Sequence, residues 1–220
     1  MVPRSSSTCL FLKQAREEFF HVGAIAPSSR FLARVVTRLI PQDDGGLRVM
    51  EAGAGTGALT AEILRRLPER SHLDIYEINP DFASHLAARF VHAAAPGNNG
   101  STRRHTDLTV TVHNRKVQDV PPHPRYDVIV SGLPLNNFDP AVVRAILRTL
   151  FAALKPGGIL VYFEYLLIRE IKALTTGKQE RRRLRRVGRI TGDFLGRYEF
   201  RRESVFLNIP PAVVHYLRKP

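Results

Sequence analysis

Two carboxylates and three glycines carry the first chemistry that this sequence offers. In "VMEAGAGTGALT", Glu51 closes an apolar run, a turn holds Gly53, Gly55, Thr56 and Gly57, and a helical pattern starts at Ala58. A glycine turn between a strand and a helix lets the backbone come close to a ligand with no Cβ in the way. The next apolar run, "LDIYEINP", ends in Glu77 and Ile78, about 20 residues past the glycines, where a carboxylate accepts both ribose hydroxyl protons. The dinucleotide fingerprint spaces its glycines G-x-G-x-x-G. Here the third glycine comes one residue early, and an acid stands two residues before the first, giving E-x-G-x-G-x-G.

Two further stretches have the composition of a reaction site. "VSGLPLNNF" (130–138) leaves a buried-type strand and supplies Ser131, Gly132, Leu133, Pro134 and Leu135 to a loop that receives a substrate. "VYFEY" supplies Tyr162, Glu164 and Tyr165; strand alternation turns Tyr162 and Glu164 one way and Tyr165 the other. The eight histidines are scattered without H-E-x-x-H or Cys/His spacing, so no metal site is expected.

The elements that position these residues alternate. Strand-like runs "LRVMEA", "LDIYEI", "LTVTVH", "YDVIVS" and "ILVYFEY" are separated by helical patterns over 58–67, 80–92 and 140–154, the last stopped by "KPGG". Such alternation of short buried-type strands with helices predicts an α/β fold, a parallel sheet with helices on both faces. Before it, 9–21 reads as an amphipathic helix with Phe11, Leu12, Ala15, Phe19 and Val22 on one side. Ser28 or Ser29 then caps a second helix over 30–40. After Tyr165 comes a basic, partly helical insertion, and "SVFLNIPPAVVHYLRKP" reads as two strands around a Pro-Pro turn. A single domain over 1–220 is expected, divided into N-terminal helices (8–40), a cofactor-binding core (41–165), the basic insertion (166–202) and a terminal strand pair (203–220).

Composition bounds the setting. The chain has 220 residues, 44% of them hydrophobic, and a formal charge of +13, which calls for an anionic partner: nucleic acid or an anionic membrane face. One cysteine, Cys9, excludes a disulfide framework and suits a reducing compartment. No run approaches the ~20 apolar residues that span a bilayer, and the first residues lack a leader pattern. A cytoplasmic location is expected.

The E-x-G-x-G-x-G turn with Glu77 resembles the first motifs of class I S-adenosylmethionine-dependent methyltransferases. "GAIAPSSRFLA", "SGLPLNNF" and the terminal segment together resemble the bacterial phospholipid N-methyltransferases, over roughly 19–219. That resemblance implies a Rossmann-like sheet of parallel strands with a C-terminal antiparallel strand, helices on both faces and an N-terminal amphipathic helix. It implies S-adenosylmethionine as cofactor, with Glu77 clamping the ribose and Glu51 near the methionine amine. Gly53, Gly55, Thr56, Gly57, Ile78, Val117, Ser131 and Leu133 complete the cofactor site. Lys116 stands where the family carries an adenine-binding Asp; Asp119 either replaces that Asp or sits in the loop.

The implied reaction methylates phosphatidylethanolamine, and its mono- and dimethyl forms, to phosphatidylcholine at the inner membrane face. The amine loses its proton to Tyr162, Glu164, Tyr165 or water. Gly132, Pro134 and Leu135 line the substrate loop. Ser28, Ser29 and Arg30 form a lid or phosphate cradle, or simply cap a helix. The first helix and "KQERRRLRRVGR" meet anionic lipid, or pack and face solvent or RNA. The alternative is an RNA adenine N-methyltransferase of the ribosomal RNA dimethylase type. Its loop carries an Asn and a stacking ring where this chain has Gly132 and Leu135.

Overall fold

Five runs of aliphatic and β-branched residues become parallel strands: β1 (Arg48–Ala52), β2 (His72–Tyr76), β3 (Thr109–His113), β4 (Tyr126–Ser131) and β5 (Leu154–Tyr165). The structure, a computed structural model, describes residues 30–42, 45–91, 108–166 and 177–220. The helix expected over 9–21, with Ser28 and Ser29, lies outside the described residues. Two more strands, β6 (Glu199–Val205) and β7 (Ala212–Arg218), complete a seven-stranded sheet of order β3-β2-β1-β4-β5-β7-β6. β7 runs antiparallel to both its neighbours, so β6 points the same way as β1–β5.

Helices cover both faces. α1 (Arg30–Val36), α2 (Ala58–Arg66) and α3 (Pro80–Leu86) belong to one side, α4 (Pro140–Ala153) and α5 (Lys178–Tyr198) to the other. Leu32, Val36, Ile63 and Leu86 join Val49, Leu73, Val128 and Val214 in one core cluster. Met50, Ile129 and Leu160 meet Ile146, Leu150 and Val187 in the second. Alternate strand residues therefore serve opposite cores, which is why the strands read as unbroken apolar runs. The start of α3 is well marked: Asn79 Oδ1 accepts from Asp81 N (2.9 Å) and Phe82 N (3.3 Å), and Pro80 takes the first helical position.

Four boundaries differ from the sequence reading. The helix expected over 80–92 is α-helical only to Leu86, then widens into a π turn over Ala87–Val91 that sets Phe90 against Gly57. The helix expected over 30–40 ends at Val36, where Thr37 bends its hydroxyl back to Ala33 O (2.8 Å). "KPGG" does not separate α4 from β5. The strand begins at Leu154, paired with Tyr126, because Gly157 takes φ +77 and donates to Lys219 O (2.9 Å) while the ladder is still forming. β6 opens at Glu199, inside the stretch assigned to the basic insertion. The rest of the described insertion is the 21-residue α5.

Candidate active site

One row of residues crosses all seven strands at the same height: His113, Tyr76, Ala52, Ser131, Tyr162, His215 and Arg202. Ala52 and Ser131 are the last residues of β1 and β4. Just beyond, β1 connects toward β2 while β4 lies on its other side, the switch point at which open α/β sheets bind ligands. Gly53 N donates to Tyr76 O (2.8 Å) and Gly132 N to Ala52 O (2.9 Å), so the ladder runs on into both loops before they part.

The glycines there have different duties. A Cβ on Gly132 would lie 2.7 Å from the backbone oxygen of Gly53, so the β4 loop and the glycine turn touch main chain to main chain. Leu133 caps the contact, its Cδ2 2.6 Å from where a Gly53 Cβ would be. Gly55, at φ +55, has nothing within 4 Å of a built Cβ: it borders open space, and Thr56 beside it is exposed. Gly132, expected in the substrate loop, thus belongs to the packing that shapes the glycine turn.

Both predicted carboxylates are buried at this turn. Glu77 Oε2 accepts from Gly55 N (2.8 Å) and Oε1 from Asn79 N (2.8 Å), holding the acid against the turn. Glu51 is fully buried; Oε2 accepts from the Thr60 hydroxyl (2.6 Å), and Oε1 has no donor among the described residues. Burial pushes the Glu51 carboxyl up to about 7, against the Thr60 hydrogen bond and with the Glu77 charge adding to the rise. Thr60 was missed from sequence although it stands in the quoted motif; only the fold brings a helix hydroxyl onto a strand-end carboxylate.

On the far side of β2, Asn114 Nδ2 donates to Glu77 O (2.9 Å) and Ile78 O (3.0 Å), fixing the loop that carries the acid. Val117, expected against an adenine face, is a buried member of the second core in a one-turn helix, Val117–Asp119. Lys116 precedes that turn half-buried, and Asp119 ends it exposed. Ile78 is half-buried at the mouth.

The loop after β4 departs most from expectation. Ser131 is buried and its Oγ accepts from Leu133 N (3.4 Å); Pro134 is exposed. Leu135, expected to face substrate, is 4% exposed and packs in the core with Phe138 and Val143. The loop is held from above by α5: the Arg183 guanidinium donates to Phe138 O and to Asn136 O (2.8 Å) and pairs with Glu180. One arginine of the basic run is therefore a structural clamp, and no local pattern distinguished it from its neighbours.

At the carboxyl end of β5 the predicted trio divides. Glu164 and Tyr165 line an open pocket of about 270 Å³ with His215, Arg202 and the small face of α5, Gly188, Thr191 and Gly192. Tyr162 lies beneath, 2% exposed and stacked on His215 at 5.0 Å. Its phenol is held well above its ordinary value by burial, then by Glu164 and Glu199, which keeps the hydroxyl neutral. His215 Nδ1 contacts Glu199 Oε1 (2.6 Å), and Arg202 pairs with Glu199 Oε2 (2.8 Å). Arg30 opens α1, exposed. Among the described residues no group of three or more His, Cys, Asp or Glu is arranged to hold a metal.

The glycine turn at the β1/β4 switch point, with two buried carboxylates against it, stands where open α/β sheets bind a nucleotide. The methyltransferase-domain family profile matches residues 24–198, and the chain belongs to that family. It is an enzyme that takes methyl groups from S-adenosylmethionine. The chain is similar to ornithine lipid N-methyltransferase of Singulisphaera acidiphila, 33% identical over 150 residues, covering 68% of this chain and 73% of that protein. An O-methyltransferase from Bacillus cereus solved with S-adenosylhomocysteine shares the fold at TM-score 0.60 and 14% identity, over 100% of this chain and 93% of that one. The N-methyltransferase NodS from Bradyrhizobium japonicum, also solved with S-adenosylhomocysteine, does so at TM-score 0.57 and 15% identity, over 96% and 98%.

The residues fit this cofactor. Glu51 Oε1 is a buried acceptor awaiting a donor, Gly55 faces open space, and each Glu77 oxygen keeps a free lone pair for a hydroxyl.

Proposed function

We propose that this enzyme methylates the amine of a lipid headgroup at a membrane surface, phosphatidylethanolamine and its partly methylated forms being the substrates and phosphatidylcholine the product. The observation that carries this is the loop after β4. A base-methylating site holds its flipped base between flat faces and hydrogen-bonds its edge. Here Gly132 is taken up by main-chain packing and Leu135 by the core, so the two positions where a base-methylating loop carries its amide and its ring present neither to a base. The Singulisphaera relative, named for another amine-bearing lipid, supports the same class of acceptor.

In this reading Glu77 clamps the ribose, Glu51 pairs with the methionine ammonium, and Ile78, Val117, Ser131 and Leu133 border the remaining nucleoside. When bound, the cofactor supplies an activated methyl on sulfur. Glu164 attracts the headgroup ammonium into the pocket and takes its proton, freeing the nitrogen lone pair for in-line attack. Tyr165 lies against the methylated nitrogen, a cation–π contact worth ~0.5–2 kcal/mol. Positioning of the amine supplies much of the remaining acceleration. The inner leaflet is the site of action, with Arg30, exposed at the start of α1, at the lipid phosphate.

The exposed basic residues of α5, among them Arg182, Arg185, Arg186 and Arg189, favour a second reading, methylation of RNA adenine. Incubation with labelled cofactor, phosphatidylethanolamine vesicles and ribosomal RNA separates the two. Label in the lipid fraction is expected; label confined to RNA would replace the lipid reading with the second.

The Glu51 assignment makes a pH prediction. Its carboxyl rises from 4.5 to about 7 on folding. The stability this buried neutral acid contributes is therefore present below 4.5 and lost as pH climbs through 7, where the bare charge costs roughly 3 kcal/mol. A ligand ammonium favours the charged form, so cofactor affinity should climb with pH up to about 7, by at most about tenfold per pH unit, then level off. Glu51→Gln should flatten that climb in calorimetric titrations. An unaltered slope in the variant would remove Glu51 from the ammonium site.

A further inference from the structure

The β6–β7 hairpin carries a feature that the reaction does not use. Between Ser204 and His215 the chain reads "VFLNIPPAVV", with no charged side chain. At its tip Phe206 is 73% exposed, Leu207 70% and Ile209 82%. The tip is braced: Asn208, itself buried, donates through Nδ2 to Pro210 O (2.7 Å), and Leu166 N donates to Pro211 O (2.9 Å). Leu166, the first residue beyond β5, is exposed as well. Three large apolar side chains held out on a tied turn gain nothing from the fold, since burial is what stabilises such groups.

Topology gives the tip its meaning. Because β6 runs parallel to β5, its carboxyl end lies at the same edge of the sheet as the glycine turn and the β4 loop. Tyr162 is level with Ser131, and Tyr165, three residues further, pairs with Ala212 at the base of the tip. The tip therefore starts about 10 Å beyond the end of β4, at the β-strand rise of ~3.3 Å per residue. The N-terminal half of α5 is fixed to that same edge by Arg183, whose guanidinium holds Asn136 O and Phe138 O. Its exposed Arg182, Arg185 and Arg186 place positive charge on that half of the helix. An uncharged, apolar projection flanked by basic side chains matches the cross-section of an anionic bilayer interface, headgroup charge outside and acyl chains within.

We propose that the hairpin tip, Phe206, Leu207 and Ile209, is a membrane-inserting wedge that seats the catalytic mouth on an anionic lipid surface. This rests on the lipid reading above, and its test is read apart from turnover. The chain has no tryptophan, so Leu207→Trp introduces a sole indole reporter at the tip. Added to vesicles of phosphatidylethanolamine and phosphatidylglycerol, that variant should show a blue-shifted emission quenched by brominated acyl chains. Phe206→Ser/Ile209→Ser should weaken vesicle co-sedimentation at least tenfold while leaving cofactor affinity unchanged.

Co-sedimentation with a silent indole would overturn the wedge, because another surface would then be the dock. An emission shift that grows with protein concentration in the absence of vesicles would also overturn it, assigning the tip to a second copy of the chain. No vesicle binding at all would do the same. Lipid methylation with a silent indole removes the wedge and keeps the lipid-amine reading; insertion without lipid methylation does the reverse.

Discussion

Glu77→Ala lowers the affinity for S-adenosylmethionine by about a hundredfold while the sheet stays folded. Each carboxylate oxygen already takes one backbone N–H, from Gly55 and from Asn79, so the acid holds the glycine turn and the β2 loop in register. In the proposed reading its remaining lone pairs are the ribose acceptors. Hydrogen bonds to a charged group contribute about 1.5–3 kcal/mol each, and two of them at the low end give the stated factor. Glu77→Gln is informative because it keeps shape and removes charge. An amide nitrogen accepts from neither backbone donor, so one N–H loses its partner and affinity still falls by at least about tenfold. Calorimetric titration with cofactor, with thermal melts alongside, reads both variants. Wild-type affinity in either would take the ribose from Glu77.

The second large effect separates two glycines that look alike in sequence. Gly132→Ala sets a Cβ 2.7 Å from Gly53 O, and a backbone oxygen has nowhere to move. The β4 loop and the glycine turn must part, so stability falls by about 1–3 kcal/mol and cofactor affinity falls with it. At Gly55 an added Cβ meets no atom within 4 Å, and Gly55→Val builds out from there. It costs only the left-handed backbone, about 1–2 kcal/mol, but fills the space open to ligand. The expected outcome is a protein that melts a few degrees below wild type and binds cofactor at least about thirtyfold more weakly, the equivalent of roughly 2 kcal/mol. Full binding by Gly55→Val would mean that the open side of the turn is not where the cofactor lies.

These two glycines also mark how far sequence alone reaches. The E-x-G-x-G-x-G turn, its two carboxylates and the alternation of parallel strands with helices were legible because backbone geometry and periodicity leave local signatures. Contacts between distant segments leave none. Gly132 reads as a substrate-loop residue until the fold presses it on Gly53, and Leu135 as a rim residue until it is found in the core. Thr60, Asn114 and Arg183 each act on a partner 9, 36 or 37, and 45 or 47 positions away. The basic run was legible as charge, but its division into a half-buried clamp and an exposed face needed α5 laid on the β4 loop. The boundary at Glu199 was hidden because Arg201, Arg202 and Glu203 make an edge strand as polar as the helix before it.

The hairpin tip shows the converse. "FLNIPP" is an ordinary apolar turn in one dimension, and only strand direction sets it beside the catalytic mouth. Among the described residues no helix is long and apolar enough to cross a membrane.

The central claim is transfer of a methyl group to a lipid amine. The most direct test supplies cofactor carrying a deuterated methyl to the enzyme with vesicles of phosphatidylethanolamine or of ornithine lipid, then fragments the recovered lipids by tandem mass spectrometry. The account predicts the deuterated methyl on the headgroup nitrogen of phosphatidylethanolamine. Deuterium on ornithine lipid alone would move the substrate within the class; recovered lipids without label, beside an enzyme that labels RNA, would contradict the account.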